Sequence, residues 1–364
     1  MKRIFALLLA ASLLILCGCA KEDPYPETVP ETTTEATTEA TTEPSTVEPT
    51  EEVKVTYTHP LTGEALDTLY TGRPVGVVIN NLKACLPQYG ISEADMIYEF
   101  EVEGSITRFL AIFSDVGSVK TIGPIRSTRT YFNNVCTSYG IPTVHCGGST
   151  KALDGMYDDT NKLSKWVHID QMSNGKYFYR DKDRQSSGYA FEHTLFTTGD
   201  KLYQAMEDKG MNTVTENGTD YGLQFAQTPD FAGEAATKVT VTFRAKKTTQ
   251  FTYNTQTGLY EAYQLKQNHI DANTGKTLSY RNLIALQAEQ WISGSYARTY
   301  YDMIGEGTGY FACDGKIIPI KWSRAAVDQP FSYTLEDGTP LTLGVGRTYV
   351  GIYGNTGSAK VTFE

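Results

Sequence analysis

The chain has 364 residues, 40% of them hydrophobic, six cysteines and a formal net charge of −10 at pH 7. That length has room for about two domains. The lack of a basic patch argues against nucleic acid as a partner. With no C-x-x-C or H-E-x-x-H spacing, neither a zinc site nor any other cofactor is expected.

Lys2 and Arg3 precede an apolar run, residues 4–16, that is too short for a permanent membrane span and reads as an export leader. The run ends in Leu16-Cys17-Gly18-Cys19, which resembles a bacterial lipobox. This resemblance predicts cleavage before Cys19, a lipid on its thiol and a place on the extracytoplasmic face of the bacterial cell membrane. An ordinary secretory signal is the alternative. Residues 20–54 are expected to be a disordered Thr/Glu/Pro tether. Within it, residues 22–52 hold ten acidic side chains and no basic one, so most of the acidity belongs there rather than to the folded part.

Folded structure is expected from about Tyr57, with residues 55–235 forming an amino-terminal α/β domain and 236–364 a smaller β-rich one. The overall class is therefore α+β, a sheet with helices in the first domain. Residues 75–79 form a continuous apolar run, a buried strand that Asn80-Asn81 should end. From Met96 to Phe113 apolar and polar residues alternate. Tyr98, Phe100 and Val102 point one way, and Glu99, Glu101 and Glu103 the other. A turn at Gly104-Ser105 would set Phe100 opposite Phe109 and Glu101 opposite Arg108, carrying the apolar face on through Phe109, Ala111 and Phe113.

Three carboxylates in a row need cations. Arg108 is one. Arg126 and Arg129 follow beside Ser127, the expected N-cap of a helix through Phe132, Val135, Cys136 and Tyr139 that Gly140 stops. Two arginines at the helix end that favours anions require an anion among them. It is either one of the glutamates or an external phosphate or carboxylate. Both readings stand.

Residues 143–146 read as another strand, running into a turn at Gly147-Gly148. Residues 151–192 are polar and turn-rich, and a helix starts at Thr198 or Asp200 and stops at Gly210. From Lys238 onward short strands alternate with turns. Cys136 and Cys146 are the easiest pair to bridge, buried free thiols being the other reading.

Four stretches, residues 73–113, 122–132, 144–149 and the entry motif His59-Pro60-Leu61-Thr62-Gly63, resemble the YerB-like bacterial lipoproteins. The resemblance implies a mixed α/β amino-terminal domain, a smaller carboxy-terminal one, and no established reaction, cofactor or catalytic residue. Arg180 and His193 stand where that family has an arginine and a histidine, although Thr194 replaces the asparagine that usually follows. Glu99, Glu101, Glu103, Arg108, Arg126, Arg129, Arg180 and His193 are therefore the candidate ligand-binding residues. The expected role is binding or scaffolding, with a cell-wall polymer or envelope protein as partner. The alternative is an envelope hydrolase of glycosidase type using the glutamate face.

Overall fold

The structure, a computed structural model, describes residues 56–149, 168–211, 220–244 and 247–364. The export leader, Cys19, the tether and much of the polar insertion lie outside them. Apolar stretches from both halves of the chain join one twelve-stranded sheet. Its order is Glu234–Ala235, Lys316–Arg324, Gly305–Cys313, Asn282–Ser293, Thr348–Gly354, Met96–Val102, Ile106–Phe113, Val75–Asn81, Thr143–His145 and His168–Asp170. Arg298–Asp302 and Ser332–Thr334 attach beside this path. Thr348–Gly354 runs parallel to Met96–Val102, so late and early sequence meet at the middle of the sheet. Residues 54–364 form one compact unit.

The expected class needs correction. Among the described residues there are twenty-four strands and three α-helices, Thr130–Ser138, Lys182–Ser186 and Gly199–Asp208, so the fold is mostly β rather than a sheet with a helical amino-terminal layer. The reason is local. Turn-forming glycines and prolines recur every ten to twenty residues, at Gly90, Gly104, Gly123-Pro124 and Gly140, and Lys83–Cys85, Ile91–Glu93 and Val116–Ser118 close as single 3-10 turns.

The two longer helices end as their sequences dictate. After Thr130–Ser138, Gly140 takes φ 62°. Its N–H bonds the Thr137 carbonyl while Ile141 bonds that of Cys136, the pairing of a Schellman stop. Thr198 caps the other helix by accepting from the Lys201 N–H at 3.3 Å. The N-cap of Thr130–Ser138 is Arg129, not Ser127.

The central hairpin is paired one residue away from the expected register. Val102 faces Ile106, Glu101 faces Thr107, Phe100 faces Arg108 and Glu99 faces Phe109. The loop has three residues, Glu103-Gly104-Ser105, with Gly104 and Ser105 both in the left-handed region at φ 78° and 58°. A one-residue slip exchanges faces. Phe109, Ala111 and Phe113 therefore line the glutamate face, and Arg108 joins Phe100 and Leu110 on the other.

Each face is covered. A six-stranded sheet, built from Lys238–Thr242, Thr248–Asn254, Leu259–Gln264, Gln267–Asn268, Ser279–Tyr280 and Lys360–Phe363, packs on the glutamate side through Phe251 and Tyr349, whose rings lie 4.6 Å apart. Helix Thr130–Ser138 packs on the other, with Phe132 edge-on to Phe100 at 5.3 Å. Strands buried on both faces explain why VGVVINN and MIYEFEV are wholly buried.

Candidate functional site

The alternation of three adjacent strands sorts their polar side chains. Asn81, Glu99 and Thr107 fall on one face, Asn80 and Arg108 on the other.

On the first face Glu99 is fully buried. Its Oε1 accepts from Asn81 Nδ2 at 3.1 Å, from Thr107 Oγ1, and from Lys247 Nζ at 3.4 Å. Its Oε2 accepts from Thr249 Oγ1 at 2.8 Å and Tyr349 OH at 2.7 Å. Asn81 exchanges bonds of 2.9 and 2.8 Å with Gln264, whose Oε1 also accepts from Lys247 at 2.9 Å. Gln264 continues to His269, and His269 to Gln88 Oε1 at 2.8 Å. Burial pushes the Lys247 ammonium below its ordinary value while the Glu99 charge opposes the shift. Burial, then the charge of Lys247, pushes His269 down to about 3, so this imidazole is neutral. Every member has a partner: this is an internal polar core.

The other two glutamates are also engaged. Glu101 is fully buried, with Arg244 Nη2 3.4 Å from its Oε1. Glu103, in the hairpin loop, receives Arg129 Nε at 3.0 Å and Nη2 at 2.6 Å, a two-pronged contact, with Arg298 at 3.4 Å. Burial alone would raise the Glu103 pKa. The hydrogen bonds and charge of Arg129 outweigh it and hold the carboxyl below its usual range. The remaining fork nitrogen of Arg129 bonds the Thr128 carbonyl at 2.7 Å.

The opposite face is different. Arg108 is 5% exposed and bonds one acceptor, the Ser127 carbonyl, at 2.6 Å, while its Nε has no partner. Burial, and then repulsion from Arg129 and Arg126, pushes its guanidinium down to about 9. Arg126 enters this face because its N–H bonds the Val78 carbonyl alongside Val75–Asn81. Its ion pair with Glu192 spans 3.3 Å across a half-exposed carboxylate, and its own Nε is buried and unpartnered. Arg180 donates to the Phe191 carbonyl at 2.6 Å and lies 3.8 Å over that residue's ring. Burial and the charge of Arg126 lower its pKa. His193 sits behind, its Nδ1 3.0 Å from Asn80 Nδ2. Asn80 is 1% exposed, and its Oδ1 has no hydrogen-bond partner.

The candidate residues therefore divide. Glu99 and Glu101 belong to the interior of the glutamate face, Glu103 and Arg129 pair with each other, Arg108, Arg126 and Arg180 form a cationic group, and His193, its pKa lowered by burial, stands beside Asn80. Lys247, Gln264 and Tyr349, which complete the Glu99 core, carry no local signal in the sequence. Asn80 does carry one, since an amide inside a β-branched apolar run demands a partner. Cys85, Cys136, Cys146 and Cys313 are free thiols, with Cys136 and Cys313 both pushed up to about 12 by burial. Among the described residues no group of His, Cys, Asp and Glu could hold a metal ion.

Comparison with known proteins places this geometry in context. Residues 61–212 match the amino-terminal domain, and residues 239–350 the carboxy-terminal domain, of a family described as a protein of unknown function, DUF3048. The chain is 28% identical over 307 residues to a Bacillus subtilis protein named "Putative lipoprotein YerB", covering 83% of this chain and 88% of that relative. The crystal structure of the Bacillus subtilis YerB protein superposes with a TM-score of 0.72 at 27% identity, covering 84% of this chain and 99% of that one.

Proposed function

This chain belongs to the DUF3048 family, and on that premise we propose that it is a lipid-anchored extracytoplasmic protein that binds an anionic group of an envelope component through Arg126 and Arg180, with Arg108 behind them. The observation that carries the reading is the charge mismatch. Arg126 lies close enough to repel both Arg108 and Arg180, and the ion pair these three make is with Glu192, a half-exposed carboxylate. One buried and two half-buried cations in such an excess call for an external anion. The leader, the lipobox-like Leu16–Cys19 and the name of the Bacillus relative support anchoring at Cys19. A long tether would then let the folded unit reach a wall polymer or an envelope protein.

The hydrolase alternative finds no comparable support. Glu99 and Glu101 are fully buried behind a second sheet, and Glu103 is held by two arginines. The binding reading is tested by cosedimenting the full chain with isolated cell walls, before and after their anionic polymers are stripped. Binding that requires both the polymers and Arg126 and Arg180 is expected, and binding unchanged in the double Arg→Met variant would contradict it. Mass spectrometry of membrane-extracted protein tests the anchor: the amino terminus should be a lipid-modified Cys19.

A further inference from the structure

This inference rests on the anion site just proposed and names its ligand class. We infer that the site takes a phosphate ester carrying a free hydroxyl close to the phosphate, rather than a carboxylate.

The first argument is the number and direction of donors. A carboxylate is planar and offers two oxygens, and a single guanidinium fork satisfies both. The protein shows this itself, where Glu103 is occupied by the Nε and Nη2 of Arg129. At the cluster three guanidiniums come from separate segments: Arg108 from the floor strand, Arg126 from the stretch beside Val78, and Arg180 from the rim. Two of them keep a buried Nε without a partner. Donors brought from separate segments, with Arg126 close enough to Arg108 and to Arg180 to repel both, suit a tetrahedral group with several non-bridging oxygens.

The second argument is the acceptor among these donors. Asn80 stands directly opposite Arg108 on the neighbouring strand, so both side chains project from one face, side by side. His193 orients the amide. Its Nε2 faces the Glu192 carboxylate at 3.7 Å, a placement that suits the tautomer with the ring proton there. Nδ1 is then the acceptor for Asn80 Nδ2, at 3.0 Å. That leaves Asn80 Oδ1 as a buried acceptor with no donor. A phosphate or carboxylate oxygen would be repelled there, and a hydroxyl would be bound. An unpartnered donor and an unpartnered acceptor on adjacent strands thus read as phosphate beside hydroxyl, the pattern of a polyol phosphate. A free ester, a wall polymer and a lipid headgroup all present that chemistry.

The test is titration calorimetry on the full chain in neutral detergent, with glycerol 3-phosphate, inorganic phosphate and succinate as probes. Short-chain phosphatidylglycerol and phosphatidylcholine follow as micelles, to separate a free ester from a headgroup. Glycerol 3-phosphate is expected to bind about tenfold or more tighter than inorganic phosphate, and succinate more weakly than either. Arg180→Met should weaken both phosphates together. Asn80→Ala should remove the advantage of glycerol 3-phosphate and leave inorganic phosphate unchanged. If that variant does not fold, inorganic phosphate and phosphatidylcholine report on the hydroxyl with the native protein. Tighter binding of phosphatidylglycerol than of glycerol 3-phosphate assigns the ester to a lipid. Succinate binding as tightly as the phosphates overturns the phosphate class while leaving an anion site. Equal affinity for glycerol 3-phosphate and inorganic phosphate, or for the two lipids, overturns the hydroxyl. Binding of no anion at all would remove the site reading itself.

Discussion

The two faces of Val75–Asn81, Met96–Val102 and Ile106–Phe113 carry opposite kinds of polarity within one residue of each other. Asn81, Glu99 and Thr107 are closed into a network in which acceptors and donors are matched and the Lys247 charge answers the Glu99 charge. Asn80 and Arg108, their neighbours in sequence, are left with unpartnered buried atoms beside further arginines. A saturated buried network rigidifies and positions, and an unsaturated one is free to bind. The difference teaches that charge density in a sequence does not distinguish these roles; the match between donors and acceptors does.

The largest effect should come from breaking the saturated face. Lys247→Met leaves Glu99 buried without its cation and is expected to destabilise by about 3–5 kcal/mol, measured by denaturant unfolding. Adding Glu99→Gln should recover part of that loss. A loss below about 1 kcal/mol would mean that the network is solvated and the contrast between the faces false.

Next is the pH dependence of His269. Its folded pKa, about 3, lies below the unfolded value of about 6.5. Its contribution is therefore complete above pH 6.5 and is lost as the pH falls toward 3. The expected loss is about 2 kcal/mol by pH 5, and His269→Gln should remove it from the pH profile of stability.

Arg129→Met should cost about 1–2 kcal/mol, since the Glu103 carboxylate it leaves is partly exposed. Glu103 is held below its ordinary pKa, so its contribution is present above the unfolded value of about 4.3 and lost as the pH falls through the folded one. The variant should lack that acid limb. The smallest effect belongs to the unsaturated face. Arg126→Met relieves repulsion on Arg108 and should change stability by no more than about 0.5 kcal/mol, or raise it.

Much of this architecture was legible in the sequence. The alternation through Tyr98-Glu99-Phe100-Glu101-Val102 assigned both faces of that strand, and Thr198, Gly140 and Gly210 marked the helix ends where the structure has them. The register was not legible, because a three-residue loop with two left-handed residues differs from a two-residue turn by one position, and that position exchanges faces. The partner of Glu99 was not legible either: Lys247 is 148 residues away along the chain, and only the packing of two sheets joins them. The two helices named from spacing are both present; the helical share was over-read through the family resemblance, which implied a mixed α/β amino-terminal domain. Asn80-Asn81 read as a strand end. The two amides do close it, as its last two residues, one on each face.

The central claim is that the arginine face is an anion site and the glutamate face is not. Its most direct test is the thermal midpoint of the full chain as sodium phosphate replaces sodium chloride at constant ionic strength. A ligand that binds only the folded state raises the midpoint with its concentration. The account predicts a rise for the native protein and for Glu101→Gln, and none for Arg126→Met/Arg180→Met. An equal rise in all three, or no rise in the native protein, would contradict it.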